Sequence, residues 1–123
     1  VSKEVKSYRD LIAWQKSIEL AGLAYQIATR LPKLEVYEMG SQIRRAAVSI
    51  PSNIAEGHAR KYTREYLHFL AIAKGSLAEL QTLLELTVRF GYGRALDIAP
   101  VLAMSEQVEK ILAGLTNSLN PNP

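Results

Sequence analysis

Hydrophobic positions recur at steps of three and four along most of the chain, the spacing that places side chains on one face of a helix. Four segments carry this pattern. The first spans about residues 9–31, with Ser7 placed to cap it. Leu11, Trp14, Ile18, Ala21, Tyr25 and Ala28 form its main stripe, and Leu20, Leu23, Ile27 and Leu31 a second beside it. Pro32 ends it, because the residue before a proline is pushed out of the α region. The second segment runs over about 36–60 and the third over about 63–90, the latter capped by Thr63 and stopped at Gly91, which tolerates positive φ. Tyr66, Leu70, Ala73, Leu77, Leu80, Leu84 and Val88 give the third its inward face, with Phe69, Ile72, Leu83 and Phe90 as a second strip. The fourth covers about 94–119, opening at Arg94 or at an Asp97 cap with Pro100 in its first turn. Its inward face is Val101, Met104, Val108, Ile111, Leu115 and Leu119, and residues 120–123 read as a frayed tail.

The second segment holds the most informative stretch, Gln42 to Gly57. Ile43, Ala47, Ile50 and Ile54 keep helical register straight across Pro51. A proline there cannot donate to the carbonyl of Ala47, and its ring crowds that carbonyl, at a cost of roughly 3 kcal/mol in a free helix. A helix that keeps its stripe through such a residue must be held by packing from outside. Val48, Pro51 and Ala55 widen the apolar face beyond what one neighbouring helix covers. No segment shows sustained period-two alternation, so strands are not expected. The predicted fold is all-α: one domain forming an antiparallel up-and-down four-helix bundle, irregular at Pro51. Surplus apolar width on the second and third helices predicts self-association.

Composition narrows the classes. Hydrophobic residues make up 48% and charged residues 22%, which excludes broad disorder. Cysteine is absent, which removes disulfides and thiolate metal sites and makes a reducing cytoplasm the expected home. No apolar run reaches the roughly 18 residues that cross a bilayer, and the opening VSKEVKSYRD lacks the apolar core of a signal peptide. No membrane association is expected. Net charge is +3, but Arg44, Arg45, Arg60, Lys61 and Arg64 face only Glu56 between positions 43 and 64. That asymmetry permits an anionic partner.

These five cations are the candidate nucleic-acid contacts. Arg44 and Arg45 point about 100° apart on a helix; one is expected to pair with an acid such as Glu79 or Glu85 while the other faces solvent or a partner. Arg60, Lys61 and Arg64 cluster at a helix junction, where repetition in an oligomer would make a charged ring for phosphate backbones. Other candidates have plainer readings. Ser49, Ser52 and Asn53 have no base spaced to activate a nucleophile, so they are expected to satisfy backbone groups freed by Pro51. Glu65 and His68 match one half of a di-iron ligand set, but a second half is missing and no metal site is expected. The glycines form no phosphate-cradling loop; Gly75 is expected to permit close helix approach. Trp14 and the tyrosines are read as core or interface rather than as base-stacking platforms. No cofactor or catalytic constellation is expected.

Three blocks nevertheless carry a resemblance. They are Tyr8-Arg9-Asp10-Leu11 with Trp14-Gln15-Lys16; the whole of Gln42 to Gly57; and Glu65 to Leu70 followed by Ala73 to Leu80. In order and spacing they resemble the small four-helix-bundle proteins encoded in intervening sequences of bacterial 23S ribosomal RNA genes. Gly93 and Pro100 depart from the acidic, proline-free start of that family's fourth helix. The resemblance implies an antiparallel bundle assembling as a homopentamer without established enzymatic activity. It also implies kinship with accessory proteins of diversity-generating retroelements, pentameric bundles that bind nucleic acid and a reverse transcriptase. The expected role is therefore a non-catalytic scaffold or accessory factor with weak, sequence-independent affinity for RNA or DNA. The alternative is a structural or protein-binding oligomer whose cations serve solubility and ion pairing.

Overall fold

A computed structural model describes residues 4–120. After a 3-10 turn at Tyr8–Asp10 come α1 (Ile12–Thr29), α2 (Lys33–Tyr37), α3 (Met39–His58), α4 (Thr63–Arg89) and α5 (Ala95–Leu119), with no strand among the described residues. The long helices close a ring in which α1 and α4 each touch both α3 and α5. Ser49 meets Ser76, and Gly57 lies against Tyr66, so α3 and α4 run in opposite directions. Leu11 shares a cleft with Leu115, and Leu31 shares one with Ile98, so α1 and α5 also run in opposite directions. The bundle is the expected fold.

Helix α3 passes through Pro51 without interruption, and Ile43, Ala47, Ile50 and Ile54 are fully buried. Apolar burial against both α1 and α4 offsets the missing proline donor. The polar neighbours act differently from expectation. Asn53 donates to the carbonyl and hydroxyl of Ser49, at 2.7 and 3.0 Å, and Ser49 shares a 2.8 Å hydrogen bond with Ser76 of α4. They tie α3 to α4 and leave the Ala47 carbonyl alone.

The helix starts need correction. Ser7 caps the 3-10 turn, accepting from the Arg9 N–H while Asp10 accepts from the Ser7 N–H. Leu11 is extended and separates that turn from α1. Tyr8 packs edge-on against Trp14 at 5.1 Å with the Arg9 guanidinium near both rings, which folds the leading segment back. The second helix is likewise split, because Glu38 at φ −96 and ψ −82 separates α2 from α3. Pro32 does not merely end α1; its carbonyl accepts from Glu35 and Val36 and starts α2. Tyr62, not Thr63, occupies the cap position of α4, with no side-chain cap hydrogen bond. Helix α5 opens after Arg94, so Asp97 is a first-turn partner of the Arg94 guanidinium at 3.2 Å rather than the cap. Pro100 then falls in the second turn. Leu96, whose carbonyl it would have bonded, is 75% exposed, where water can serve that acceptor.

Gly91 behaves as expected. At φ +76 it closes α4, with its N–H on the Val88 carbonyl and the Tyr92 N–H on the Thr87 carbonyl, a Schellman closure. The Tyr92 hydroxyl reaches Glu35 at 3.3 Å and ties this turn to α2. The Glu35 carboxylate, above all, raises the pKa of that tyrosine. Of the tail, Asn120 lies past the end of α5, and residues 121–123 lie outside those described.

The core departs most from the pattern in α1. Its inward line is Ala13, Ser17, Leu20, Ala24, Ile27 and Ala28, whereas Ile18 and Tyr25 are 44% and 43% exposed. Small side chains at the centre let α1 approach its neighbours closely, and Ser17 hides its hydroxyl by donating to the Trp14 carbonyl at 2.8 Å. In α4, Leu70, Ala73, Leu77, Leu80 and Leu84 are buried as expected, but Ile72 and Phe90 are exposed. In α5 the buried line is Ile98, Val101, Ser105, Val108 and Leu112. Ser105 is tolerated there because it donates to Leu102 and accepts from Gln81.

On α3 the surplus apolar width falls at Val48, Pro51 and Ala55, as expected. It lies between α1 and α3, where Trp14, Ile18, Ala21, Val48, Pro51 and Ala55 line an open groove of about 320 Å³.

Candidate nucleic-acid interface

The elbow between α3 and α4 is set by a close approach. A Cβ on Gly57 would stand 2.9 Å from Phe69 Cβ and 3.2 Å from the Tyr66 carbonyl oxygen, so the crossing demands glycine. Gly75, expected to serve that purpose, would meet nothing within 4 Å. Close packing at Gly57 brings the end of α3 onto the first two turns of α4. His58 stands edge-on to Tyr66 at 5.8 Å. The Tyr66 hydroxyl is buried without a hydrogen-bond partner among the described residues, and burial raises its pKa.

Around that crossing the basic residues separate into distinct roles. Arg60 pairs with Glu56 at 3.3 Å and lays its guanidinium 4.7 Å from the centre of the Phe69 ring. Lys61 places its ammonium 5.6 Å from the ring of Tyr62, which is 61% exposed. Arg64 is exposed and forms no ion pair among the described residues. Arg60, Arg64, Glu65, His68 and Phe69 line an open depression of about 420 Å³. Cations and aromatic faces therefore alternate over one short surface.

Arg44 and Arg45 are not part of it. They sit near the opposite end of α3, about 20 Å from His58 at 1.5 Å per residue. Arg44 donates to the Val36 carbonyl at 2.9 Å and so holds the last turn of α2, a structural task. Neither acid considered as its partner is used that way, and Glu85 pairs with Arg89 in its own helix. Arg45 is exposed on the outer side of α3. Glu65 and His68 share the depression, but no group of three or more His, Cys, Asp or Glu side chains among the described residues is arranged to hold a metal ion. Among the described residues, no helix is long and apolar enough to cross a membrane.

Sequence reasoning missed the aromatic half of the site. Tyr62 lies outside the core, exposed beside Lys61. A usable signal was present: Arg60, Lys61, Tyr62 and Arg64 alternate with His68 and Phe69 one helical turn later.

Fold and surface together define a small all-helical bundle with one basic, aromatic elbow. The chain belongs to the 23S rRNA-intervening sequence protein family, whose model matches residues 9–114. Its fold is similar to a crystal structure of a protein of unknown function from the S23 ribosomal protein family of Bacteroides thetaiotaomicron. The two share 24% identity with a TM-score of 0.77, over 85% of this chain and 98% of the other. No curated protein matches the chain.

Proposed function

We propose that this protein is a non-catalytic, self-associating bundle that acts as a scaffold or accessory factor with weak, sequence-independent affinity for nucleic-acid backbones. The observation that carries the reading is the elbow, where Lys61 and Arg64 are exposed and outside any ion pair among the described residues. Arg60 contributes less, since Glu56 offsets its charge. Glu65 on the same rim keeps the affinity low. Attraction of this kind comes from counterion release and falls with salt. Converting Arg60, Lys61 and Arg64 together to Gln is expected to abolish measurable binding at moderate salt. It should also reduce the slope of log affinity against log salt by about 2 for each engaged subunit on a single strand. An unchanged slope in a titration against RNA and DNA would overturn the reading.

Self-association is supported by the groove between α1 and α3, an apolar surface that a second copy would cover. The proposed assembly is the homopentamer implied by the family resemblance, and the cysteine-free composition supports a reducing, cytoplasmic setting. A single-subunit mass by light scattering would remove this part of the proposal. The same groove favours the second reading, a structural oligomer with no nucleic-acid role, which the salt titration separates from the first.

A further inference from the structure

Deepening the reading above, and resting on it, we infer that the elbow selects single-stranded nucleic acid, with an unpaired base stacked on Tyr62 and the flanking phosphates held by Lys61 and Arg64. Tyr62 is the key observation. Its ring is largely exposed, yet its backbone is fixed, because its carbonyl accepts from the N–H groups of Glu65 and Tyr66, both at 3.1 Å. The extended conformation at φ −106 and ψ 139 holds the residue just ahead of α4 rather than within it. An exposed aromatic on a fixed backbone loses little conformational freedom when it is covered.

The surroundings match what a strand presents. Lys61 lies by the Tyr62 ring and Arg64 is the second residue of α4, so cations lie on both sides of the platform along the chain. The start of α4 carries no side-chain cap, which leaves the N–H groups of Thr63 and Arg64 and the positive end of the helix dipole facing the same surface. The stacked Arg60 and Phe69 line the neighbouring depression and extend the aromatic path. A duplex buries the faces of its bases and would use the cations alone. A single strand uses cations and rings together, and base–aromatic stacking is sequence-tolerant because every base has a π-face. Stacking adds to the electrostatic attraction and does not alter its salt dependence.

The test is a fluorescence-anisotropy titration of the full chain against labelled oligo-dT, oligo-rU and a duplex of equal length, at fixed low salt. Both single strands are expected to bind alike and at least fivefold more tightly than the duplex. Tyr62→Ala should weaken single-strand binding by about tenfold, leave duplex binding unchanged and preserve the salt slope. Tyr62→Phe should retain the wild-type affinity, since the ring face does the work. Circular dichroism of the variants guards against misfolding, which an exposed side chain is not expected to cause. Equal binding of single strand and duplex, or an unaltered Tyr62→Ala affinity, overturns this inference while the backbone-binding reading stands. Absence of binding to all three probes overturns that reading and this inference with it.

Discussion

Ile50→Ala is expected to lower the stability of the bundle by about 3–5 kcal/mol, the upper part of the range for buried large-to-small changes. Ile50 is fully buried immediately before Pro51, in the one turn of α3 that lacks a backbone donor. That turn depends on packing more than any other in the helix, so removing apolar contact there takes away its main support. The loss would consume a large part of the roughly 5–15 kcal/mol that typically separates folded from unfolded chains. Gln42→Ala, on the exposed side of α3 and away from the groove, should stay within about 0.5 kcal/mol. Urea denaturation of the two variants checks this, and equal losses would contradict the account of how α3 survives its proline.

The second large effect is a pair of opposite signs. Gly57→Ala is expected to destabilise the chain by up to about 2 kcal/mol, because overpacking costs of about 1–3 kcal/mol outweigh the helix-propensity gain of about 1 kcal/mol. The clash involves the Tyr66 backbone as well as the Phe69 side chain, so relief requires α4 itself to move. That movement would displace Tyr62, Arg64 and the depression around His68, and oligonucleotide affinity should fall with stability. Gly75→Ala, at a helical position with open space, should instead stabilise by about 0.5–1 kcal/mol. Thermal unfolding of both variants reads the contrast, and a stabilised Gly57→Ala would mean that the close crossing is not needed.

These glycines also show where sequence reasoning stops. A glycine inside a helical pattern marks either a close approach or nothing at all, and only the position of the neighbouring helix decides between them. The stripe through Pro51 was legible because four apolar residues at steps of four, three and four leave one helical face and no other. The closure at Gly91 was legible for a similar reason, since positive φ is a local backbone property. The inward face of α1 was not. Apolar bulk along that helix favours Trp14, Ile18 and Tyr25, while the core takes Ala13, Ser17 and Ala24 because tight helix contact selects small side chains. Ser17 and Ser105 read as polar in a sequence but are buried, each silenced by a bond to its own helix.

Charge was legible in its grouping and not in its partners. Arg60, Lys61 and Arg64 could be read as a cluster at a helix junction, apart from Arg44 and Arg45 by the length of α3, but the acids expected to pair with Arg44 or Arg45 are not used. The capture of Arg44 by the Val36 carbonyl depends on the break at Glu38, which no periodicity announces. The exposure of Tyr62 depends in turn on its place outside α4, one residue ahead of the first helical turn.

The most direct test of the proposed nucleic-acid contact is a titration of the isotopically labelled chain with oligo-dT, followed amide by amide in NMR spectra. The account predicts saturable, salt-sensitive shifts concentrated in residues 60–69, with the Thr63 and Arg64 amides among the largest. Shifts centred on Arg45 or the groove between α1 and α3, or no shifts at low salt, would contradict it.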